Sequence, residues 1–228
     1  MNNSIVLKNI SKKYSTKGNL KVLNELNYSF KSGKIYSIVG PSGSGKSTLL
    51  NLISLIDTPT SGSLTILNNI INFKEKIKND HIRSKKIGII YQDNNLLNDF
   101  TALENVYLPK LLLTNDKTQS LAEAKNIIKK VGMFSRLNHY PSELSGGENQ
   151  RIAISRALIN SPEIILADEP TGSLDFDNAK KIFKILFNLR KNNRLIIFAT
   201  HNRYFANMAD CKIKMIGGKM KATNERVE

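Results

Sequence analysis

Residues 40–47 read Gly-Pro-Ser-Gly-Ser-Gly-Lys-Ser, and Thr48 follows. This is the GxxxxGK[ST] pattern, and the chemistry it fits is the binding of a nucleoside triphosphate. A loop that wraps a phosphate must turn its backbone N–H groups inward. Glycine at 40, 43 and 45 permits the required angles and leaves room for close approach, with Pro41, Ser42 and Ser44 completing the turn. Lys46 can reach the β- and γ-phosphates. Ser47 can offer its hydroxyl to Mg²⁺, a hard ion that prefers oxygen. The bland alternative is an ordinary Gly/Ser turn. The flanks argue against it: the apolar run Ile35–Val39 leads in, and a helix beginning near Lys46 or Ser47 leads out with Leu49, Leu50 and Ile53 at helical spacing.

Two further groups bear on the same chemistry. Asp168-Glu169 closes the apolar run Ile164–Ala167, which reads as a buried parallel strand. Ligands bind at that end of a parallel sheet, so Asp168 is positioned to hold Mg²⁺ through water and Glu169 to orient or deprotonate an attacking water. A solvated turn with two acids is the other reading, and it loses weight beside a phosphate loop. Leu144-Ser145-Gly146-Gly147-Glu148 precedes a helix and offers free N–H groups and a hydroxyl at a helix N-terminus. Ser145 also suits the role of N-cap, and the two roles are compatible. A second phosphate-binding element in one chain points to two copies sharing each nucleotide.

The elements that must position these groups follow from periodicity. Ile5–Asn9, Val22–Phe30 and Leu64–Leu67 read as an antiparallel lobe, with the polar stretch Ser15–Asn19 between the first two and Ser61-Gly62 as a turn before the third. Ile87–Tyr91 is a short strand. Residues 93–160 are mostly helical, with Leu121, Ala124, Ile127, Ile128 and Val131 forming a stripe that Gly132 stops. Another helix starts after Gly147 and ends before Ser161-Pro162. A helix over Asp177–Lys191 buries Ile182, Ile185, Leu186 and Leu189, and Leu195–Ala199 is a further buried strand that ends at His201. Alternating strands and helices imply an α/β fold with a mostly parallel sheet covered by helices.

Composition sets the outer limits. The chain has 228 residues and is 40% hydrophobic, enough for a packed core. Cys211 is the single cysteine, which suits a reducing compartment and reads as a small buried or half-buried filler. No run approaches the ~20 apolar residues of a spanning helix, and Met1-Asn2-Asn3-Ser4 lacks a signal-peptide layout. A membrane process would therefore need a second polypeptide. The net charge of +15 and the pI of about 9.8 fit nucleic acid or an anionic membrane surface. The lysines are spread along the chain, however, and with heavy Asn and Ile usage they fit compositional drift better.

These residues together resemble the ABC ATPase family along the whole chain. Residues 40–47 match Walker A, Leu144–Glu148 the LSGG signature, and Ile164–Glu169 Walker B with its adjoining glutamate. Gln92 resembles the Q-loop glutamine, Ser173-Leu174-Asp175 the D-loop, His201 the switch histidine, and Tyr14 the A-loop aromatic that stacks on adenine. Tyr14 has packing within the antiparallel lobe as its alternative, whereas His81 and His139 carry no motif and read as surface residues.

The resemblance implies a P-loop NTPase core with an N-terminal antiparallel β lobe and an inserted helical subdomain. One domain would span 1–228, with lobe and RecA-like core over about 1–92 and 161–228 and the signature subdomain over about 93–160. It implies ATP and Mg²⁺ as ligands, the ion held by Ser47, Gln92 and Asp168. It implies a head-to-tail dimer in which Ser145, Gly146 and Gly147 of one copy touch the γ-phosphate held by the other. His201 would hold that phosphate and the water, and Gln92 would connect the ion to a membrane partner. Location at the cytoplasmic face of a bacterial inner membrane follows, and nucleic acid is not an expected partner.

Tyr91–Leu108 (YQDNNLLNDFTALENVYL), Pro141–Arg151 (PSELSGGENQR) and Ala167–Asp175 (ADEPTGSLD) look like the group that includes lipoprotein-releasing, macrolide-exporter and cell-division ATPases. The LLNDFTALENV stretch is most similar to the lipoprotein-releasing type. Two positions depart from the pattern: Asn149, where relatives often carry Arg or Gln, and Asn202, where Asp is usual. Neither carries the chemistry above. A repair or translation ATPase is a competing class because of the charge, but such proteins need coiled-coil insertions or tandem cassettes.

Overall fold

The computed structural model describes residues 3–15 and 20–225. Residues 16–19 of the polar stretch, and Met1 and Asn2, lie outside the described residues. The chain runs β1 (Asn3–Tyr14), β2 (Leu20–Lys31), β3 (Ile35–Val39), α1 (Lys46–Ile53), β4 (Ser61–Ile66), β5 (Asn69–Ile70), α2 (Lys76–Lys86) and β6 (Ile87–Ile90). It continues with α3 (Ala102–Thr114), α4 (Lys117–Lys130), α5 (Gly146–Leu158), β7 (Ile164–Asp168), α6 (Phe176–Asn188), β8 (Leu195–Ala199), α7 (Arg203–Ala206), β9 (Cys211–Ile216) and β10 (Lys219–Glu225).

Two sheets carry the architecture. An antiparallel sheet orders its strands β2-β1-β4-β5, and a second sheet orders them β10-β9-β3-β8-β7-β6. In the second, β9, β3, β8, β7 and β6 run parallel, and only β10 is antiparallel. The central strands β3, β8 and β7 are buried on both faces, as parallel strands covered on each side are, whereas β9 nearer the edge alternates and exposes Lys214 and Ile216. On β8, Leu195, Ile197 and Ala199 pack toward the antiparallel sheet and α1, while Ile196 and Phe198 pack on the opposite side with Phe183 and Leu186 of α6. The period-two geometry of a strand divides its residues between the two cores. A third cluster joins Val106, Ala124, Ile128 and Ile152 from α3, α4 and α5.

The element ends differ from the sequence expectations in places. The helix read over Asp177–Lys191 is α6 from Phe176 to Asn188, with a 3-10 turn over Leu189–Asn192. Ser61-Gly62 opens β4, with Gly62 at φ 94° lying against the backbone of Asn9. The hairpin β9–β10 turns at Gly217-Gly218, both with positive φ, a dipeptide signal that the sequence reading did not use. α2 was also missed, because its residues are almost all polar and it carries no apolar stripe. Gly132 stands just after α4 with φ 73°, as a helix stop requires. Cys211 is buried, and His81 is exposed. His139 is half-buried, within 3.3 Å of Arg136, and so is not a plain surface residue. Among the described residues, no helix is long and apolar enough to cross a membrane.

Candidate functional site

The parallel register delivers distant residues to one place. β3 pairs with β8 and β8 with β7, so Gly40, Asp168-Glu169 and Thr200-His201 all leave the same edge of the sheet. The Glu169 N–H donates to Ala199 O at 3.0 Å, and the Thr200 N–H donates to Ile38 O at 3.0 Å, extending the pairing beyond the strands. A cavity of about 570 Å³ opens there. Gly40, Pro41, Ser42, Gly43 and Gly45 line one side with Lys46, Ser47 and Thr48, and Gln92, Asp168, Glu169 and His201 line the other. Leu20 and Val22 of β2 add an apolar margin that the sequence reading did not identify.

The loop conformation shows why its glycines are needed. A Cβ on Gly40 would stand 2.3 Å from the Met215 carbonyl oxygen, so β9 forbids any side chain there. Gly45 is the N-cap of α1 at φ 98°, a left-handed conformation that other residues adopt only under strain. The Lys46 ammonium donates to Gly40 O at 2.9 Å and to Pro41 O at 3.1 Å, spanning the loop mouth. Ser44 is buried behind the loop, and its N–H donates to Pro41 O at 3.2 Å.

On the facing side, the Ser47 hydroxyl hydrogen-bonds the Asp168 carboxylate. Burial pushes the Asp168 carboxyl above its usual range and Glu169 beside it adds to the rise, while the Ser47 bond and the Lys46 charge oppose it. Glu169 sits in the left-handed region at φ 44°. Its Oε2 lies 2.9 Å from His201 Nδ1 and accepts the His201 N–H at 3.3 Å. The Glu169 side chain is 14% exposed and that of His201 73% exposed, so the pair joins an inner carboxylate to an outer imidazole. The oxygens of Ser47, Asp168 and Gln92 all line the cavity, a donor set suited to a hard divalent cation that completes its shell with phosphate and water.

Ser145, Gly146 and Gly147 do not line this cavity. Ser145 is the N-cap of α5 in a capping box: the Glu148 N–H donates to Ser145 Oγ at 3.3 Å, and the Ser145 N–H and hydroxyl each donate to Glu148 Oε2 at 2.9 Å. These bonds, the backbone one first and with Arg136 adding to them, hold the Glu148 carboxyl below its usual range. Leu174 and Asn178 stand next to where side chains on Gly146 and Gly147 would project. The two departures from the family pattern both have local partners. Asn149 Nδ2 donates to Pro141 O at 3.0 Å, and Asn202 Oδ1 caps α7 by accepting the Tyr204 N–H at 2.9 Å.

Tyr14 ends β1 instead of standing on a loop, and it is half-buried. Its hydroxyl donates to Asp57 Oδ2 at 2.8 Å. Arg156 of α5 was also missed by the sequence reading. Its guanidinium donates to the carbonyls of Asn94 and Asn95, both at 2.6 Å, and both asparagines have positive φ. That fixes the turn two residues after Gln92. Arg156→Ala is expected to cost about 2 kcal/mol, a fall in Tm of about 4–8 °C, and to lower ATP turnover more than ATP affinity. Thermal melts with turnover and binding assays check this, and an unchanged kcat would free Gln92 from dependence on Arg156.

A profile of the ABC transporter family matches residues 23–172. The chain is 43% identical over 223 residues to the lipoprotein-releasing system ATP-binding protein LolD of Rickettsia bellii (strain RML369-C), covering 96% of this chain and 98% of that protein. It is 42% identical over 229 residues to LolD of Wigglesworthia glossinidia brevipalpis, covering 98% of this chain and all of that protein (100%). Among solved structures, the dimeric structure of MJ0796, a bacterial ABC transporter cassette, matches with a TM-score of 0.91 and 37% identity, covering 98% of this chain and 100% of that chain. The dimeric post-hydrolysis state of the same cassette, bound to ADP and Pi, matches with a TM-score of 0.91 and 36% identity, covering the same shares, 98% and 100%.

The chain belongs to the ABC transporter family, as one of its ATP-binding cassettes. It is an ABC-type ATPase, similar over nearly its whole length to the LolD proteins.

Proposed function

We propose that this ATPase forms a head-to-tail dimer and, with integral membrane subunits, powers release of lipoproteins from the bacterial inner membrane toward the outer membrane. The observation that carries the dimer is the separation, within one chain, of the phosphate cradle from the Ser145-Gly146-Gly147 helix terminus. Each element suits an anion and neither surrounds one alone. The lipoprotein cargo rests on the LolD relatives, which match along nearly their full length. The chain acts as one domain, with residues 93–160 as a helical subdomain that presents the signature to the second copy. It works peripherally at the cytoplasmic face, where its membrane subunits supply the crossing.

Within each half-site, residues 40–48 hold the triphosphate through backbone N–H groups and the Lys46 ammonium. Ser47, Gln92 and Asp168 hold Mg²⁺, which when bound neutralises phosphate charge. Glu169 accepts the proton of the attacking water. His201 holds the γ-phosphate and steadies Glu169. Ser145, Gly146 and Gly147 of the second copy close over the same phosphate, and Tyr14 stacks on the adenine.

Affinity purification of the tagged chain from membranes, together with depletion in cells, tests the transport reading. The expected result is co-purification of paired integral membrane subunits with large periplasmic domains, and lipoproteins trapped in the inner membrane after depletion. Recovery of solute-importer permeases would overturn it, as would unseparated cells with normal lipoprotein sorting.

A further inference from the structure

The nucleotide chemistry described above makes no use of a buried ion pair beside Tyr14. Lys12 is only 8% exposed, unusually low for a lysine. Its ammonium donates to Asp57 Oδ1 at 2.5 Å and to Thr58 O at 2.7 Å, and it stands 4.7 Å above the centre of the Tyr14 ring. The other Asp57 oxygen accepts the Tyr14 hydroxyl at 2.8 Å, and the Thr58 N–H donates to Asp57 Oδ1 at 2.7 Å. The side chain of Thr48, which lines the cavity, stands beside the phenol. A carboxylate thus grips the edge of the ring, and a cation covers one face.

The geometry points to Asp57 and Lys12 as positioning residues for the nucleotide base: they lock the Tyr14 ring as a platform whose face opposite Lys12 takes the purine. The inference rests on the stacking role proposed for Tyr14 and extends it to two further residues; Tyr14, Lys12 and Asp57 all stand outside the cavity lining, next to Thr48 at its margin. Three physical effects support it. The Asp57 bond removes rotation about the ring's side-chain torsions, so the ring is ordered before the base arrives and less entropy is lost on binding. Lys12 is attracted to one ring face, which leaves the other for the base. Burial raises the Asp57 carboxyl, but the bonds from Lys12, Tyr14 and the Thr58 N–H outweigh it and hold it below its usual range. Asp57 therefore stays ionised at neutral pH, as an acceptor for the phenol and the ammonium.

The test compares ATP with inorganic tripolyphosphate, which carries the phosphates without the base. The KM and kcat for ATP, and the inhibition constant of tripolyphosphate, would be measured on the full chain and on Tyr14→Ala, Tyr14→Phe, Asp57→Asn and Asp57→Ala. Tyr14→Ala is expected to raise the KM for ATP about tenfold, the scale of one base–aromatic stack, with tripolyphosphate inhibition unchanged. Asp57→Ala should raise that KM about fivefold, again with tripolyphosphate inhibition unchanged and kcat within about twofold, and should add nothing in the Tyr14→Ala background. Asp57→Asn keeps an acceptor for the phenol and leaves Lys12 its bond to Thr58, so it should recover part of the loss and remain folded. Tyr14→Phe keeps the ring and loses its anchor, so it should fall between wild type and Tyr14→Ala. If Tyr14→Ala leaves the KM unchanged, stacking itself is wrong and the grip has nothing to position. If Tyr14→Ala weakens ATP while Asp57→Asn and Tyr14→Phe match wild type, stacking stands and the grip is overturned. Equal weakening of ATP and tripolyphosphate in Asp57→Ala would also overturn it, since that marks general damage to the loop.

Discussion

Glu169→Gln is expected to lower ATP turnover by about 10²–10⁴-fold, the usual contribution of a positioned base, while ATP still binds. Glutamine keeps the length and shape of glutamate, and one of its ends can still accept the His201 N–H that Glu169 Oε2 accepts at 3.3 Å. The backbone at 169 is fixed independently of the side chain, through its N–H to Ala199 O at 3.0 Å. The substitution therefore removes a proton acceptor and a charge while the cradle of residues 40–47 remains intact. Because hydrolysis is what would reopen the two-copy site, the ATP-bound dimer should accumulate. Turnover assays and size-exclusion chromatography with ATP check both parts. Unchanged turnover would remove Glu169 from the role of water activation.

Lys46→Ala should weaken ATP binding by about tenfold to a hundredfold, since one charge-assisted hydrogen bond contributes about 1.5–3 kcal/mol. The residue has a structural task as well as a charge. Its ammonium spans the carbonyls of Gly40 and Pro41 at 2.9 and 3.1 Å, and Coulomb attraction links it to Asp168 across the cavity. Alanine leaves the backbone N–H groups of the loop in place, so residual binding should persist. Titration with a fluorescent ATP analogue measures the change, and wild-type affinity would contradict the assignment of the loop.

These two variants separate binding from chemistry, and that separation follows the sheet. Lys46 opens α1 after the loop that follows β3, and Glu169 directly follows β7, with β8 between β3 and β7 in the sheet. Their meeting depends on parallel register, in which Ile38 and Asp168 both pair with Ala199. A slip of one residue would turn Glu169 to the other face of the sheet. The alternation that buries Leu166 in one core and Ala167 in the other opposes such a slip.

The phosphate loop, the acidic pair and the helix-capping signature were legible from sequence because each is a contiguous run whose function depends on local backbone geometry. Gly40 to Ser47 needs only its own residue types to be recognised. The strands Ile35–Val39 and Leu195–Ala199 were equally legible, because an unbroken apolar run of that length leaves few alternatives. α2 was hidden by its polarity, and β9–β10 was overlooked despite its Gly-Gly turn. What only the tertiary structure decided is which distant residues meet. Tyr14 is held by Asp57, 43 positions away in the chain. Arg156 holds Asn94 from 62 positions away, and a short-range pattern contains no trace of either pairing. The sequence thus determined that this chain binds a nucleoside triphosphate and carries a second glycine-rich helix start. The fold decided that the second element stays outside the lining of the first cavity, because α5 is held against α6 and the helical cluster while the loop is held against β9.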